Sequence, residues 1–231
     1  MRNCSLCDLP IEVKPGLRTC SYCGITEDGD HACANGHYTC QTCRTALPSE
    51  LVARVCLNTA ETDPYRLANL IMSHPVFNQM GPQFHIVAGP AALAALANGG
   101  FAADKQTLIS SAIERLKDIP ALSCSSRGIC GAAAGAGVFA SLLNNAGPLR
   151  AKERSLALKY SASALRVIAE QGGIRCCRQS VLASIETILQ NIKADFGFTL
   201  RKFDPVCSHP QHNPECKKRD CPYYAENRTA D

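Results

Sequence analysis

Residues 16–43, GLRTCSYCGITEDGDHACANGHYTCQTC, carry Cys20, Cys23, Cys33, Cys40 and Cys43 together with His31 and His37. With Cys4 and Cys7 upstream, the ligand-type residues form four pairs: Cys4 with Cys7, Cys20 with Cys23, Cys33 with His37, and Cys40 with Cys43. Three of these pairs are CxxC. Such a turn lets two thiolates converge on one tetrahedral ion while backbone amides donate to sulfur, so two pairs close a site. Eight ligands make two closed sites. Zinc is the expected ion, because the histidines argue against purely redox-active or iron-binding thiols. His31 is then surplus, or a replacement for Cys33. Joining the first pair to the third and the second to the fourth gives a cross-braced module, while joining neighbours gives two ribbons, and spacing leaves both open. Few apolar residues separate the ligands (Leu6, Leu9, Ile11, Val13, Leu17, Ile25). Metal binding is therefore expected to supply most of the folding free energy, on the order of 10 kcal/mol per structural zinc. A closed site has no open coordination position, so the head reads as structural, presenting a surface to a protein partner.

The tail, CSHPQHNPECKKRDCPYY, adds Cys207, Cys216 and Cys221, the last followed by Pro222. That run is similar to iron–sulfur ligand sequences. Three thiolates are one short of a 4Fe–4S cubane. The fourth is expected from Cys124, Cys130, Cys176 or Cys177, or else the last iron stays open to a small-molecule ligand. The competing reading is a third zinc using His209 or His212. Lys217, Lys218 and Arg219 would offset the charge in either case. The chain has fifteen cysteines in 231 residues, and its start, MRNCSLCDLP, lacks the apolar core of a secretory signal. A cytoplasmic, reducing location is the expectation, with sulfur serving metals or redox rather than disulfides.

These residues need helices to hold them. ETDPYRLANLIMSHP has Asp63 as N-cap and Pro64 at the first helical position, with Leu67, Leu70, Ile71 and His74 on one face. GPAALAALANGG predicts a helix closed by Gly99 and Gly100, and DKQTLISSAIERLKDIP places Ile109, Ile113 and Leu116 at helical spacing. LRAKERSLALKYSASALRVIAEQGG stops at Gly172 and Gly173, and SVLASIETILQNIK carries the apolar stripe Val181, Leu182, Ile185, Ile188, Leu189 and Ile192. The fold class is mainly α. A zinc-binding module over 1–46 precedes an all-α domain over 60–198, and a Cys-rich metal-binding tail over 199–231 packs on the helices.

The helix from about residue 129, ICGAAAGAGVFASLL, is too short to span a membrane. Its glycines cost about 1 kcal/mol each relative to alanine, so something must approach its backbone: another helix, or a cofactor. GAGVFA loosely fits a dinucleotide fingerprint but follows no strand, which discounts nucleotide. Cys124, Cys130, Cys176 and Cys177 fall at predicted helix starts, where dipole and free amides favour thiolate. Cys56, alone in ARVCLNTA, reads as a core residue.

The net charge is +4, and residues 1–45 hold Arg2, Lys14, Arg18 and Arg44 against Asp8, Glu12, Glu27, Asp28 and Asp30. The head is not a basic patch, and nucleic acid is not the expected partner. Arg150, Lys152, Arg154, Lys159, Arg166 and Arg175 lie along one stretch, which reads as a solvated helix face or a docking face for an acidic partner or RNA.

CANGHYTCQTC, FHIVAGPAAL, CSSRGICGAAAGAG, GGIRCCRQS and NPECKKRDCPYY in this order resemble a cysteine-rich bacterial and archaeal family of unknown function. The resemblance covers nearly the whole chain. That family occurs in anaerobes, sometimes beside radical-SAM or methyltransferase proteins, although the CxxxCxxC triplet of radical-SAM enzymes is absent here. The glycine-rich stretch also resembles redox proteins with a C-GCAxxG-C-C pattern, departing from it at Ala132. The resemblance implies redox or cluster chemistry. On that expectation the chain carries structural zinc and an iron–sulfur cluster and acts with a partner protein in redox, sulfur or one-carbon chemistry. Cys124, Cys130, Cys176, Cys177, Cys207, Cys216 and Cys221 are the cofactor-binding candidates, and Cys130, Cys177 and His85 the catalytic ones. His85 sits in FHIVAGP, apolar surroundings that equally suit a core histidine. The alternative is a non-catalytic zinc adaptor or regulator. These residues do not decide whether the chain is an enzyme.

Overall fold

The computed structural model describes residues 3–200 and 203–228. Arg2, counted in the head's charge, lies outside them, as do the outermost residues of the 1–46 and 199–231 segments.

The head is a two-stranded antiparallel hairpin, β1 (Ile11–Thr19) and β2 (Thr26–Cys33), followed by a one-turn helix α1 (Gln41–Arg44). Its register runs from Ile11 opposite Cys33 to Thr19 opposite Thr26. The hairpin's end is one of two matching turns. In CSYCGI the Cys20 amide donates to Ile25 O (2.7 Å) and the Gly24 amide to Cys20 O (2.9 Å), with Gly24 at φ +72°. In CSLCDL the Cys4 amide donates to Leu9 O and the Asp8 amide to Cys4 O, both at 2.8 Å. Asp8 takes the left-handed conformation there (φ +59°), which short polar side chains tolerate.

The body is helical: α2 (Pro48–Asn58), α3 (Pro64–Ser73), α4 (Ala88–Asn98), α5 (Lys105–Leu116), the one-turn α6 (Ser123–Ser126), α7 (Gly131–Leu143), α8 (Ala151–Gln171) and α9 (Cys177–Phe196). The expected cap of α3 is present, with Asp63 accepting from the Tyr65 amide at 2.7 Å. The helical body begins at Pro48, earlier than the expected 60. The start of α2 is set by Pro48 in its first turn and by Glu50, whose carboxylate accepts from the Leu47 amide at 3.0 Å. It buries Leu51, Val52, Val55 and Cys56. Burial in this apolar setting pushes the Cys56 thiol up to about 12, as expected of an inert core cysteine.

Helix α7 is the hub, packing on α4, α5, α8 and α9. Its glycines are explained by close approach. A Cβ on Gly89 of α4 would stand 2.8 Å from Gly135 O, and one on Gly135 would stand 3.2 Å from the Gly89 nitrogen. A Cβ on Gly137 would meet Ser161 of α8 and stand 2.9 Å from Ala157 O. Gly89→Ala must therefore push the backbones of α4 and α7 away from each other and is expected to cost about 1–3 kcal/mol in urea unfolding. Gly147→Ala is the control: its Cβ would meet nothing closer than 3.9 Å and should leave stability unchanged.

The basic stretch of α8 is a solvated face. Arg150 pairs with Glu153 (2.9 Å), Arg166 with Glu170 (3.1 Å) and Lys159 with Asp195 (3.7 Å), and α8 buries only Tyr160 and Ala164 fully.

The head is packed on this body. Tyr22, 3% exposed, lies 3.0 Å through its hydroxyl from Ser73 Oγ and stacks edge-on against His74 at 5.0 Å. Cys20, Cys40 and Cys43 join the same apolar core as α2 and α3. The tail runs over α3, α8 and α9 in short 3-10 turns. It is tied down by the Phe203 amide to Asp63 (2.8 Å), Asn69 Nδ2 to Val206 O (2.8 Å) and the Tyr223 hydroxyl to Glu186 (2.7 Å).

Candidate metal centres

In the head, Cys4, Cys7, Cys33 and His37 form one group and Cys20, Cys23, Cys40 and Cys43 another, the ligand atoms of each lying within 4.8 Å of one another. The pairing is first with third and second with fourth, the cross-braced arrangement. It follows from the hairpin. β1 leads from the first turn to the second, and β2 returns the chain to the first, so the sites occupy opposite ends. His31, opposite Val13 on β2, is exposed and belongs to neither group.

The thiols are not disulfides. Cys7 and Cys33 sulfurs are 3.6 Å apart, Cys23 and Cys40 3.7 Å, and His37 Nδ1 lies 3.5 Å from both Cys4 and Cys33. Amide donors converge on the sulfurs. Cys4 Sγ accepts from the Leu6 amide, Cys20 Sγ from Cys40 and Cys40 Sγ from Cys43, each at 3.4 Å. Burial raises the Cys20 thiol, but amides of Cys23, Cys40 and Tyr22 outweigh it and the net shift is downward. Cys33 behaves likewise: burial raises it, and the amides of His37 and Asn35 with the Cys7 side chain bring it below its ordinary value. Burial leaves Cys4 and Cys40 up at about 11 and Cys43 raised as well. Each group thus contains a thiol that favours deprotonation, and each can hold a metal ion.

Apart from the core residue Cys56, the body and tail cysteines line two cavities. Cys207, Cys216 and Cys221 are joined by Cys176 around a small, largely enclosed one. Each tail thiol accepts from the amide two residues on: Cys207 from His209, Cys216 from Lys218 (3.4 Å), and Cys221 from Tyr223. Cys4, Cys20 and Cys33 in the head make the same contact, with Leu6, Tyr22 and Asn35. Arg178 and Asn213 line this cavity too, and both are buried. The guanidinium is 1% exposed and donates to Met72 O (2.9 Å) and Phe77 O (3.0 Å). Its Nε has no partner, nor has Asn213 Nδ2. Unpaired buried donors cost free energy, so two of them beside four thiols call for an acceptor. His209 is otherwise engaged: Nε2 donates to Ser5 O at 2.8 Å, and Nδ1 faces Ser208 at 2.7 Å. His212 Nδ1 faces Arg178 at 3.4 Å. Neither histidine lines the cavity.

The larger chamber, about 580 Å3, is lined by Cys124, Cys130, Cys176, Cys177, His85 and Arg175 together with apolar residues of α7 and α8. Cys130 is the N-cap of α7, Cys176 that of α9, and Cys177 the first residue of α9. Cys124 sits in α6 and is exposed. The expected lowering of thiol pKa at helix starts is corrected at Cys177, where burial dominates and holds the thiol up at about 11. His85 Nδ1 lies 3.2 Å from Ile119 O, and a Cβ on Gly131 would collide with the His85 ring. The first glycine of α7 therefore makes room for this imidazole.

Arg178 and Asn213 were not among the sequence candidates. Arg178 had a signal: a cation three and four residues ahead of Val181 and Leu182, on the face that α9 buries. Asn213, in a loop of prolines and histidines, had none.

No curated protein and no solved structure matches the chain. A family model described as a family of unknown function, DUF5714, matches residues 52–224. The match leaves out the head, CANGHYTCQTC included, so similarity over nearly the whole chain is narrowed to the body and tail. Covering about three quarters of the residues and every cysteine from Cys56 onward, that match places the chain in DUF5714, a family of unknown function.

Proposed function

We propose that the protein carries two structural zinc ions in its head and an iron–sulfur cluster of the 4Fe–4S type, ligated by Cys176, Cys207, Cys216 and Cys221, with which it does redox or sulfur chemistry alongside a partner protein in a reducing, cytoplasmic compartment. For the head, the support is metric. Ligands about 2.0–2.3 Å from a tetrahedral zinc stand roughly 3.5–3.8 Å from one another; four of the head's ligand pairs, at 3.5–3.7 Å, match that edge, and the rest lie within 4.8 Å. The expected protein partner meets the head's exposed hairpin face.

The observation that carries the cluster is the small cavity where four cysteines meet two buried donors that have no acceptor. A Cys4 zinc offers only its thiolates as acceptors. A cluster adds inorganic sulfide, and hydrogen bonds to cluster sulfur tune its potential. The buried Arg178 cation offsets the net negative charge of the centre. Among the described residues no three of these thiols lie within 4.8 Å of one another, and the space between them is about 20 Å3, so a cluster would have to push its walls outward on binding. A third zinc of the Cys3His kind is disfavoured, since His209 is bonded to Ser5 and Ser208 and neither it nor His212 lines the cavity.

Anaerobic purification with metal analysis and visible spectroscopy tests this. About two zinc, four or more iron with matching sulfide, and a broad band near ~400 nm are expected, with four of the iron lost in Cys216→Ser. Two or three zinc in a colourless protein would overturn the cluster and leave a redox dithiol or a zinc adaptor.

A further inference from the structure

We propose that the larger chamber is a second cluster site, ligated by Cys124, Cys130 and Cys177, whose fourth iron faces the chamber and takes a small anionic ligand beside His85 and Arg175. It rests on the reading above only in assigning Cys176 to the tail centre.

The consecutive cysteines diverge. Cys177 lines the chamber and not the small cavity, whereas Cys176 lies on the wall between the two. Cys177 is within electrostatic reach of Cys124 and Cys130. Among the described residues these three thiols do not close to the spacing of the head groups, so the chamber is not a preformed site for a single ion. They arrive from three separate elements, α6, the α7 N-cap and the α9 start, around one space.

The rest of the chamber fits a ligand on the fourth iron. Its volume of about 580 Å3 exceeds what a cluster alone requires and falls in the range of small-molecule sites. No carboxylate lines it, while Arg175 supplies a positive charge. His85 is held through Nδ1 on Ile119 O and by the absent side chain at Gly131, which leaves Nε2 as its free ring nitrogen. Fixing one imidazole nitrogen to a carbonyl orients the other toward a ligand or proton. Adjacent ligands at 176 and 177 would also give the two centres a short covalent path for electrons.

The test reconstitutes the full chain anaerobically with iron and sulfide, then counts iron and records the reduced electron paramagnetic resonance spectrum with and without cyanide. About eight iron are expected, falling by about four in Cys130→Ser and Cys177→Ser and, independently, by about four in Cys216→Ser. Cyanide should shift the signal of the wild type and of Cys216→Ser, and leave Cys130→Ser unchanged. Zinc content and unfolding curves report on folding, and the exposed Cys124→Ser serves should the half-buried Cys177→Ser misfold. Full iron in the chamber variants with loss in Cys216→Ser overturns the second site and keeps the tail cluster. Loss in the chamber variants with full retention in Cys216→Ser keeps the second site and overturns the tail cluster. No iron in any protein overturns both, and a cyanide-silent spectrum overturns the open iron.

Discussion

Replacing Cys43 by serine is expected to release one of the two head metals and to destabilise the helical body with it. Cys43 is fully buried, and with Cys20, Cys40 and Tyr22 it belongs to the apolar core shared with α2 and α3. Without its metal the second group has little to hold it together, since Val13, Leu17 and Ile25 of the hairpin all face solvent. On the zinc reading the metal would contribute most of the module's stability, on the order of 10 kcal/mol for a structural zinc. Its loss would also uncover the body surface beneath Tyr22. Zinc should fall from about two to one per chain, and thermal unfolding should shift down by well over 5 °C. Cys7→Ser should release one zinc as well, but act elsewhere. Cys7 is half-buried at the outer site, whose turn carries Ser5, and the Ser5 carbonyl anchors His209 of the tail. Proteolysis near residue 209 is the readout that should separate the variants, rising more in Cys7→Ser. Equal effects of the two on body and tail would contradict the docking described.

Arg178→Met is expected to cost about 3–5 kcal/mol, the range for breaking a buried charged network. The guanidinium crosses from α9 to the carbonyls of Met72 and Phe77, at the end of α3 and in the turn after it, with its Cζ 5.5 Å from the Phe84 ring centroid. Burial lowers its pKa, and the thiols of Cys207, Cys176 and Cys177 offset some of that lowering. Methionine fills a similar volume yet leaves both carbonyls without a donor, each worth about 1–3 kcal/mol when buried. It also removes the cation beside the four-cysteine cavity, so bound iron should fall together with stability. Arg178→Lys keeps the charge without the planar fork, and should retain more iron than the methionine variant while still losing stability. Full iron occupancy in Arg178→Met would show that the cation serves packing alone.

The helices are legible because each carries its own boundary chemistry: Asp63 with Pro64 for α3, Gly99 and Gly100 after α4, Gly172 after α8, and the stripe from Val181 to Ile192 for α9. The hairpin is not. Its strands are mostly exposed: IEVKPGLRT alternates Ile11, Val13 and Leu17, yet Val13 and Leu17 face solvent, and TEDGDHAC has no apolar alternation, because the strand ends are held by ligand turns and not by a buried face. Helix α2 is equally hard to read, because its opening, PSEL, looks like a loop until Glu50 is seen to cap the Leu47 amide.

The sequence by itself marked the ligand pairs of the head, which the fold brings into two groups able to hold a metal. Paired cysteines at CxxC spacing declare a ligand turn, because the turn is local and its amides sit within two or three residues of the sulfur. It also determined that α7 must be approached closely, since a run of glycine and alanine leaves no side chains to hold neighbours off. Tertiary structure alone decided how these pieces combine. Spacing is silent on whether ligand pairs join neighbours or alternate, and the return of β2 settles the cross-brace. It is silent too on the fact that Cys176, about thirty residues before Cys207, closes the tail's cavity, and that Cys177 turns to another chamber. That division depends on where a helix starts relative to a loop folded back over it. The partner of Gly135 is Gly89, and that of Gly131 is His85. Such contacts join residues more than forty apart, and no local propensity encodes them.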